Sequence, residues 1–558
     1  KRLIAFSDSV QDAAHRAGFF GARTYKNNVR MAWSQAMDEL GVTAMPWPEF
    51  LQKARQCFDT KGSILCMPPE KLVTELLPPD LSSHPDWENG LREKEQLPKD
   101  SKLPEYIRKR LFWELFSDLT YMSQRGRTLE RTGKALLAVP WSRIVAVADR
   151  LSTVFREHYG LHGLQGKTIA QWLWGMLTHM RQRGGVLIEG LESYAADGNL
   201  YMLGKQWMPR MGPETPRPVF VTLGNHRHFD KLVGTNRSTW YERWTEIALQ
   251  SQALMSRDLA SDLCVEACRV LCEEKILVCT RSHLGETFAL NPDALALYVN
   301  RCEEQDASLD GGVTFIMTAH GERRLAVPRD DADHLVGMPC LDAPQFRYEC
   351  LSSHPVNWWA WRYSHGELRR VIAAEHTGLL KREERESIEK RFKSENPHPW
   401  YENLLSATPT LEMGVDIGKL SSVLLCSVPP NQASFLQRVG RAGRRDGNAL
   451  VVTMASGNSP HDLYFFSETA EMIAGEVASP GVFLRASEVL RRQLFAYCMD
   501  DWVRALSDPN ALPDKTSKAL DAVEKFKQDQ FPYTFIDHVR RNEQRLFEEF
   551  MALLGPDV

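Results

Sequence analysis

Arg438, Arg441 and Arg444 recur every three residues in the segment Gln437-Arg-Val-Gly-Arg-Ala-Gly-Arg-Arg445, with Gly440 and Gly443 between them. Arginines three apart share one face of a helix. A guanidinium is a planar, permanently charged fork, suited to holding a γ-phosphate while charge redistributes during phosphoryl transfer. Glycines let the backbone come close to such a group. A helix that merely carried solvated charge would be weakened by both glycines, at roughly 1 kcal/mol each relative to Ala.

Side chains of this kind need a rigid frame. Short apolar runs at Leu3–Phe6, Arg370–Ala374, Asn403–Ala407, Ser422–Val428 and Ala449–Met454 alternate with helical patterns at Val10–Phe20 and 381–393. Parallel sheets covered on both faces are built from such alternation. The expected fold class is α/β, a parallel sheet split in the chain by a mainly helical insertion. In open parallel sheets ligands bind beyond the carboxyl ends of the strands, where the loops after these runs lie.

The chain divides by pattern into a first strand and helix (1–30), a helical insertion (31–260), a helix-and-hairpin unit (261–300), a ribbon-like segment (301–364), the remainder of the sheet domain (365–475) and the start of a helical C-terminal domain (476–558). In the third segment an apolar helix, Leu263–Leu271, precedes Lys275–Cys279, a polar tip at Thr280–Gly285 and a returning Thr287–Leu290. This is the outline of a winged helix, which sets a helix in a DNA groove and a wing on the backbone. Lys275, Arg281 and His283 supply its positive character. A unit that packs only against the rest of the chain is the alternative.

At 558 residues, 43% hydrophobic and 25% charged, the chain has the composition of a multidomain globular protein. It holds no uncharged apolar run long enough for a membrane span. The net charge of −4 gives no global basic signal, so nucleic-acid contact has to come from local patches. Eleven cysteines, several in apolar runs (Cys264, Cys268, Cys272, Cys426), suit a reducing, cytoplasmic setting. A start at Lys1 without a signal-peptide layout is expected of a segment of a larger protein.

Gln437–Arg444 resembles motif VI of superfamily 2 helicases, and Thr410-Leu-Glu-Met-Gly-Val-Asp-Ile-Gly418 resembles their motif V. Glu375-His-Thr-Gly-Leu-Leu380, with Arg385 and Phe392, resembles the block preceding motif V, and Leu3-Ile-Ala-Phe-Ser-Asp-Ser9 resembles motif IV, the first strand of the second RecA-like lobe. The resemblance covers residues 1–30 and about 365–475. It implies a P-loop NTPase-like lobe of the DEAD/DEAH-box kind, with Arg441 and Arg444 as arginine fingers that reach ATP on the other lobe. Gln437, Arg438, Gly440, Gly414 and Asp416 would line the nucleotide cleft. Ser7, His376, Gly378 and Thr410 would touch the sugar–phosphate backbone, a sequence-blind contact, with Arg281 added from the hairpin tip. ATP and Mg2+ would be held mainly by a missing N-terminal RecA-like lobe.

Two partial matches do not supply that lobe. Gly166-Lys-Thr168 has Leu161 where a phosphate-binding loop needs glycine, and follows a helical rather than a strand pattern. Asp331-Ala-Asp-His334 follows Pro328-Arg-Asp, not an apolar strand. Cys302, Cys340 and Cys350 lack the CxxC pairs of a zinc ribbon, so no metal site is expected.

Within the insertion, Arg125-Gly-Arg-Thr-Leu-Glu130 and Met180-Arg-Gln-Arg-Gly-Gly185 resemble segments of large bacterial helicases of the phage-defence type, as in Druantia or DISARM systems. That implies other defence-system subunits as partners. Arg125, Arg127, Arg181 and Arg183 are the basic candidates there, with solvated surface charge as the alternative. The expected function is the C-terminal motor part of an ATP-dependent DNA helicase or translocase, inactive by itself. An RNA helicase and a catalytically idle binding or assembly module are the alternatives. The winged-helix outline tilts the choice toward DNA, and intact Arg441 and Arg444 argue against an idle lobe.

Overall fold

The computed structural model describes residues 2–212, 214–250, 256–302, 308–351, 357–408, 420–443, 448–474, 486–506 and 512–555. Five short strands form one parallel sheet: β1 (Leu3–Phe6), β2 (Ala373–His376), β3 (Leu404–Ala407), β4 (Ser422–Leu425) and β5 (Leu450–Thr453), in the order β2-β3-β1-β4-β5. The strand that comes first in the chain is thus central. Leu3 pairs with Leu404 on one side and Ser422 on the other. Successive side chains of a strand point to opposite faces, and β1 fills both. Ile4 and Phe6 pack with Phe392, Leu405, Val423 and Phe435, while Ala5 packs with Leu404 and Cys426. The fold class is that of a RecA-like lobe.

The strand expected at Arg370–Ala374 forms slightly later, at Ala373–His376. The reason is local. Asn403 accepts from the Ile372 N–H at 3.0 Å and donates to the Arg370 carbonyl at 2.9 Å, which pins the preceding backbone outside the ladder.

Helix α1 runs from Val10 to Glu39, well past the expected end at Phe20. Ser9 caps it by accepting the Asp12 N–H at 3.1 Å. No proline interrupts it, and Gly18 and Gly21 face open space. At 1.5 Å per residue it is about 45 Å long. Phe20 packs with Leu3 and Ala373 of the parallel sheet, whereas Tyr25, Trp33 and Met37 belong to the core of the insertion. The boundary expected at residue 30 therefore falls inside a single helix.

The insertion is a packed body with its own large core. Trp33, Trp47, Trp172, Trp174 and Trp244 are fully buried in it. Trp244 donates its indole N–H to the Trp172 carbonyl at 3.0 Å and lies against Gly175 so closely that a Cβ there would run into the ring. Charges inside the insertion are paired: Arg181 with Glu130 at 2.6 Å, Arg110 with Glu114 at 2.8 Å, Lys134 with Asp38 at 2.6 Å.

The helix-and-hairpin outline forms, as the helix Arg257–Glu273 and the strands Leu277–Ser282 and Gly285–Leu290. It is not set apart from its surroundings. Leu263, Cys268, Leu277 and Leu290 share one core with the preceding helices, and the hairpin is extended by Val221–Thr222 and Asp230–Lys231. In the ribbon-like segment, Val313–Met317 pairs antiparallel with Arg324–Pro328 and Cys350–Leu351. Cys302 sits with Leu309 and Ala360, Cys340 lies in the main core and Cys350 is exposed.

Two polar latches tie insertion to sheet. Glu402, just before β3, is buried between Arg92 of the insertion and Arg391 of helix α2 (Arg382–Lys393). Glu75 accepts the Arg370 N–H at 2.7 Å.

A second compact unit spans Ala474–Val558. The helical pattern at Leu520–Leu554 resolves into Thr516–Glu524, Tyr533–Arg541 and Glu543–Leu554, with Trp502, Phe535 and Leu546 in their core. Among the described residues no helix is long and apolar enough to cross a membrane.

Candidate functional site

All five strands of the parallel sheet point the same way, so the loops after them share one edge. After β1 come Ser7 and Asp8; after β2, Thr377 and Gly378; after β3, Thr408; after β4, Ser427 and Val428; after β5, Met454. The Ser7 N–H continues the ladder to the Ala407 carbonyl at 2.8 Å, and its hydroxyl is buried with no hydrogen-bond partner. His376 ends β2 with its Nε2 2.9 Å from Glu389 of α2 and its Nδ1 buried without a partner. Thr377 is buried and donates to Glu375 at 2.6 Å. Gly378, beside it, is exposed with open space around it.

Helix α3 (Gln432–Val439) leads into the arginine cluster. Asn431 caps it, accepting the Ser434 N–H at 2.9 Å. Its inward face is Phe435 and Arg438, three apart as one helix face requires. Arg438 is 1% exposed: its guanidinium lies over the Phe6 ring at 5.6 Å and meets Asp8 at 3.3 Å. Burial and the Asp8 carboxylate engage the fork here, which locks α3 onto β1. Gln437 and Gly440 are exposed.

The helix stops at Val439, so the arginines do not share one helix face throughout. Arg441 stands in the following turn, its N–H bonded to the Arg438 carbonyl at 3.3 Å. The glycines explain the stop. A Cβ at Gly440 would sit 2.9 Å from the Leu436 carbonyl, and Gly443 takes φ +70, the left-handed region where L side chains are strained. The Gly443 N–H bonds the Leu420 carbonyl at 3.2 Å, which ties the turn back to the start of β4. Arg444, Gly414, Asp416 and Thr410 lie outside the described residues.

Elsewhere, the basic candidates of the insertion are mostly engaged. Arg181 is buried on Glu130, Arg183 is held bidentately by Asp230 at 2.7 and 2.9 Å, and Arg127 lies over the Trp359 ring at 3.9 Å. Arg125 is exposed. Arg281 is 82% exposed on its hairpin and donates to Glu286 at 2.9 Å. It belongs to the insertion and not to the sheet edge.

Sequence reasoning missed two carboxylates. Asp8 accepts from both Arg438 and the Ser427 hydroxyl, joining the loops after β1 and β4. Asp462, buried in the helix α4 (Pro460–Ser467), accepts from the Ser456 N–H at 2.9 Å, the Ser459 hydroxyl at 2.9 Å and the Val428 N–H at 3.3 Å. Burial pushes this carboxyl upward, but those hydrogen bonds outweigh it and hold it below the usual carboxylate range. Ser459-Pro-His-Asp462 was a readable signal, the spacing of a helix cap in which Ser459 accepts the Asp462 N–H.

The edge thus brings together residues 7, 376, 408 and 427, with the Ser7 hydroxyl and the His376 Nδ1 buried without partners, while Arg441 stands on the turn at the far end of α3, beside the start of β4. Residues 361–446 match the helicase conserved C-terminal domain. The chain is 33% identical over 156 residues to the Druantia protein DruE of Escherichia coli, a stretch covering 26% of this chain and 8% of that protein. It is 40% identical over 67 residues to the ATP-dependent helicase HRQ1 of Saccharomyces cerevisiae (12% of this chain, 6% of the relative). It is also 39% identical over 72 residues to the uncharacterized ATP-dependent helicase YprA of Bacillus subtilis (12% and 10%). These matches span no more than a tenth of each relative's length. The chain thus combines a RecA-like sheet with a match to the helicase conserved C-terminal domain, and it resembles superfamily 2 helicases, including large ones of the phage-defence type.

Proposed function

We propose that this chain is the C-terminal motor part of an ATP-dependent DNA helicase or translocase, working with a second RecA-like lobe that holds most of the ATP and Mg2+. The observation that carries the reading is the common carboxyl edge. Ser7 and the block His376–Gly378, separated by some 370 positions in the chain, end two strands of one parallel sheet, with Arg441 on the turn that closes α3. Bound Mg-ATP supplies the transferable γ-phosphate. Arg441 and Arg444 act on it as arginine fingers, with Gln437, Gly440, Gly414 and Asp416 as further cleft residues. Ser7, His376, Gly378 and Thr410 hold the sugar–phosphate backbone. Asp8 and Arg438 are positioning residues that fix α3, and hence the fingers, against β1.

The name of the Druantia relative favours a role in antiviral defence alongside other subunits. RNA is the second reading of the substrate, because backbone contacts do not read bases. The hairpin unit with Arg281 favours DNA. The test is ATP turnover by the complete protein on single-stranded DNA, duplex DNA and RNA. DNA should stimulate most, and Arg441→Ala or Arg444→Ala should each lower turnover about 10³-fold or more. Turnover that is absent, or indifferent to both substitutions, would leave an idle binding module.

A further inference from the structure

The insertion holds a concave surface built from elements that contribute nothing to the parallel sheet. It is a cavity of about 570 Å³ between the helices Trp47–Cys57 and Leu103–Leu119, completed by Ile188, Glu189, Lys205 and Trp207. Its wall is aromatic. Trp47 and Trp113 are buried, Phe112 and Trp207 are half-buried, and Trp113 meets Trp207 edge to face at 6.4 Å. Its rim is basic: Arg55, Arg108, Lys109 and Lys205 outnumber Glu105 and Glu189. Arg55 lies 5.8 Å from the Phe112 ring centre and Lys205 lies 5.9 Å from that of Trp207.

A further observation points to a ligand. The rim cations meet carboxylates only in exposed pairs, Arg55–Glu189 at 3.5 Å, Arg108–Asp59 at 3.4 Å and Lys109–Glu105 at 2.6 Å. Pairs of that kind are weak and exchange readily for a phosphate. A planar apolar body with an attached anion suits both the aromatic wall and the basic rim, and every nucleobase offers a π-face for stacking on such rings. The volume is that of an ordinary small-ligand site.

We propose that this cavity holds one unpaired nucleotide, its base against the aromatic wall and its phosphate among the rim cations. For a macromolecular source, a strand handled by the motor, the assignment rests on the function proposed above; a free nucleotide presents the same base and phosphate.

The test is direct binding by this chain, which needs no ATP turnover. Anisotropy of a labelled oligothymidylate is measured against the double variant Arg108→Glu, Lys109→Glu, against Trp207→Leu, and with an abasic strand of equal length. Thermal melting checks that each variant is folded. The charge reversal should weaken binding at least 10-fold and flatten its salt dependence. Trp207→Leu and the abasic strand should each cost about 5- to 100-fold, the loss of one stacked base. Competition by dTMP at micromolar concentration assigns the site to free nucleotides, and its failure beside tight oligothymidylate binding assigns it to a strand. Unchanged affinity in the charge reversal, or equal affinity for the abasic strand, overturns the proposal. If the complete protein shows no nucleic-acid-stimulated turnover while these effects persist, the motor reading fails and the cavity assignment stands.

Discussion

Inside the insertion, Arg181 meets Glu130, Arg110 meets Glu114 and Asp80, and Lys134 meets Asp38, so buried charge is cancelled where it stands. At the carboxyl edge of the parallel sheet the hydroxyls of Ser7 and Ser406 and the Nδ1 of His376 are buried without partners. Buried polar groups are normally satisfied. The insertion's buried charges are paired and hold its shape, although uncharged groups there, such as Trp174, Tyr241 and Thr287, also bury polar atoms without partners. The difference between the two regions is one of charge, and the proposed function gives the unpaired groups of the edge to bound nucleic acid.

The comparison breaks if the proposed site residues turn out to be structural. Arg441→Ala should abolish nearly all stimulated turnover, about 10³-fold, while leaving the melting temperature of the chain within about 2 °C, a surface-like change. A large loss of stability in that variant would make Arg441 another anchor, like Arg438.

Next in size, Glu130→Ala strands Arg181 in the core and should destabilise the chain by about 3–5 kcal/mol, read as a shift in the urea midpoint. A near-neutral result would mean that the insertion's charges are not what hold it.

Asp462 sharpens the contrast from within the sheet domain. Because its folded pKa is depressed, its stabilisation is present above the unfolded carboxylate value and lost as pH falls through the folded one. Asp462→Asn should therefore cost about 1–2 kcal/mol at pH 7, and the gap to the natural chain should close below about pH 4. A gap that is independent of pH would assign the effect to shape rather than charge.

Smallest is Ser7→Ala. Removing a hydroxyl that has no partner in the protein should change stability by under about 0.5 kcal/mol, yet weaken nucleic-acid binding about 3- to 10-fold, the worth of one hydrogen bond. Unchanged binding would take Ser7 out of the interface.

The sheet was legible because its strands are short and apolar, fully buried in β3 and nearly so in β1 though exposed along β5, and because motif residues follow them at fixed spacing. The arginine cluster was visible for the same reason, but Arg438 and Arg441 are alike in sequence and opposite in environment. Only the register of α3, which turns Phe435 and Arg438 inward, separates anchor from finger. Asp8 was unreadable because its partners, Ser427 and Arg438, are more than 400 positions away. In the insertion the helices could be predicted from periodicity, but Arg181 and Arg183 read as basic surface until Glu130 and Asp230 were seen beside them. The end of α1 was missed because its buried face changes along the helix, from Ala13 and Ala17 in the sheet domain to the nearly all-round burial of Met31, Ala32, Trp33 and Ser34 in the insertion.

The central place of β1 also sets an order of events during synthesis. Its neighbours β3 and β4 leave the ribosome about 400 residues later, roughly 20–80 s at ordinary elongation rates. Closing a flexible loop of that length would cost on the order of 5 kcal/mol in chain entropy. An insertion that folded first would remove much of that cost. Gln35 of α1 donates to the Gly366 carbonyl at 2.7 Å, so the two points where the chain leaves and re-enters the sheet domain would then be fastened together before β2 emerges. The insertion is in this sense a built-in chaperone for the sheet it interrupts, and variants that loosen it should reduce the yield of folded motor domain even where every residue of the sheet is intact.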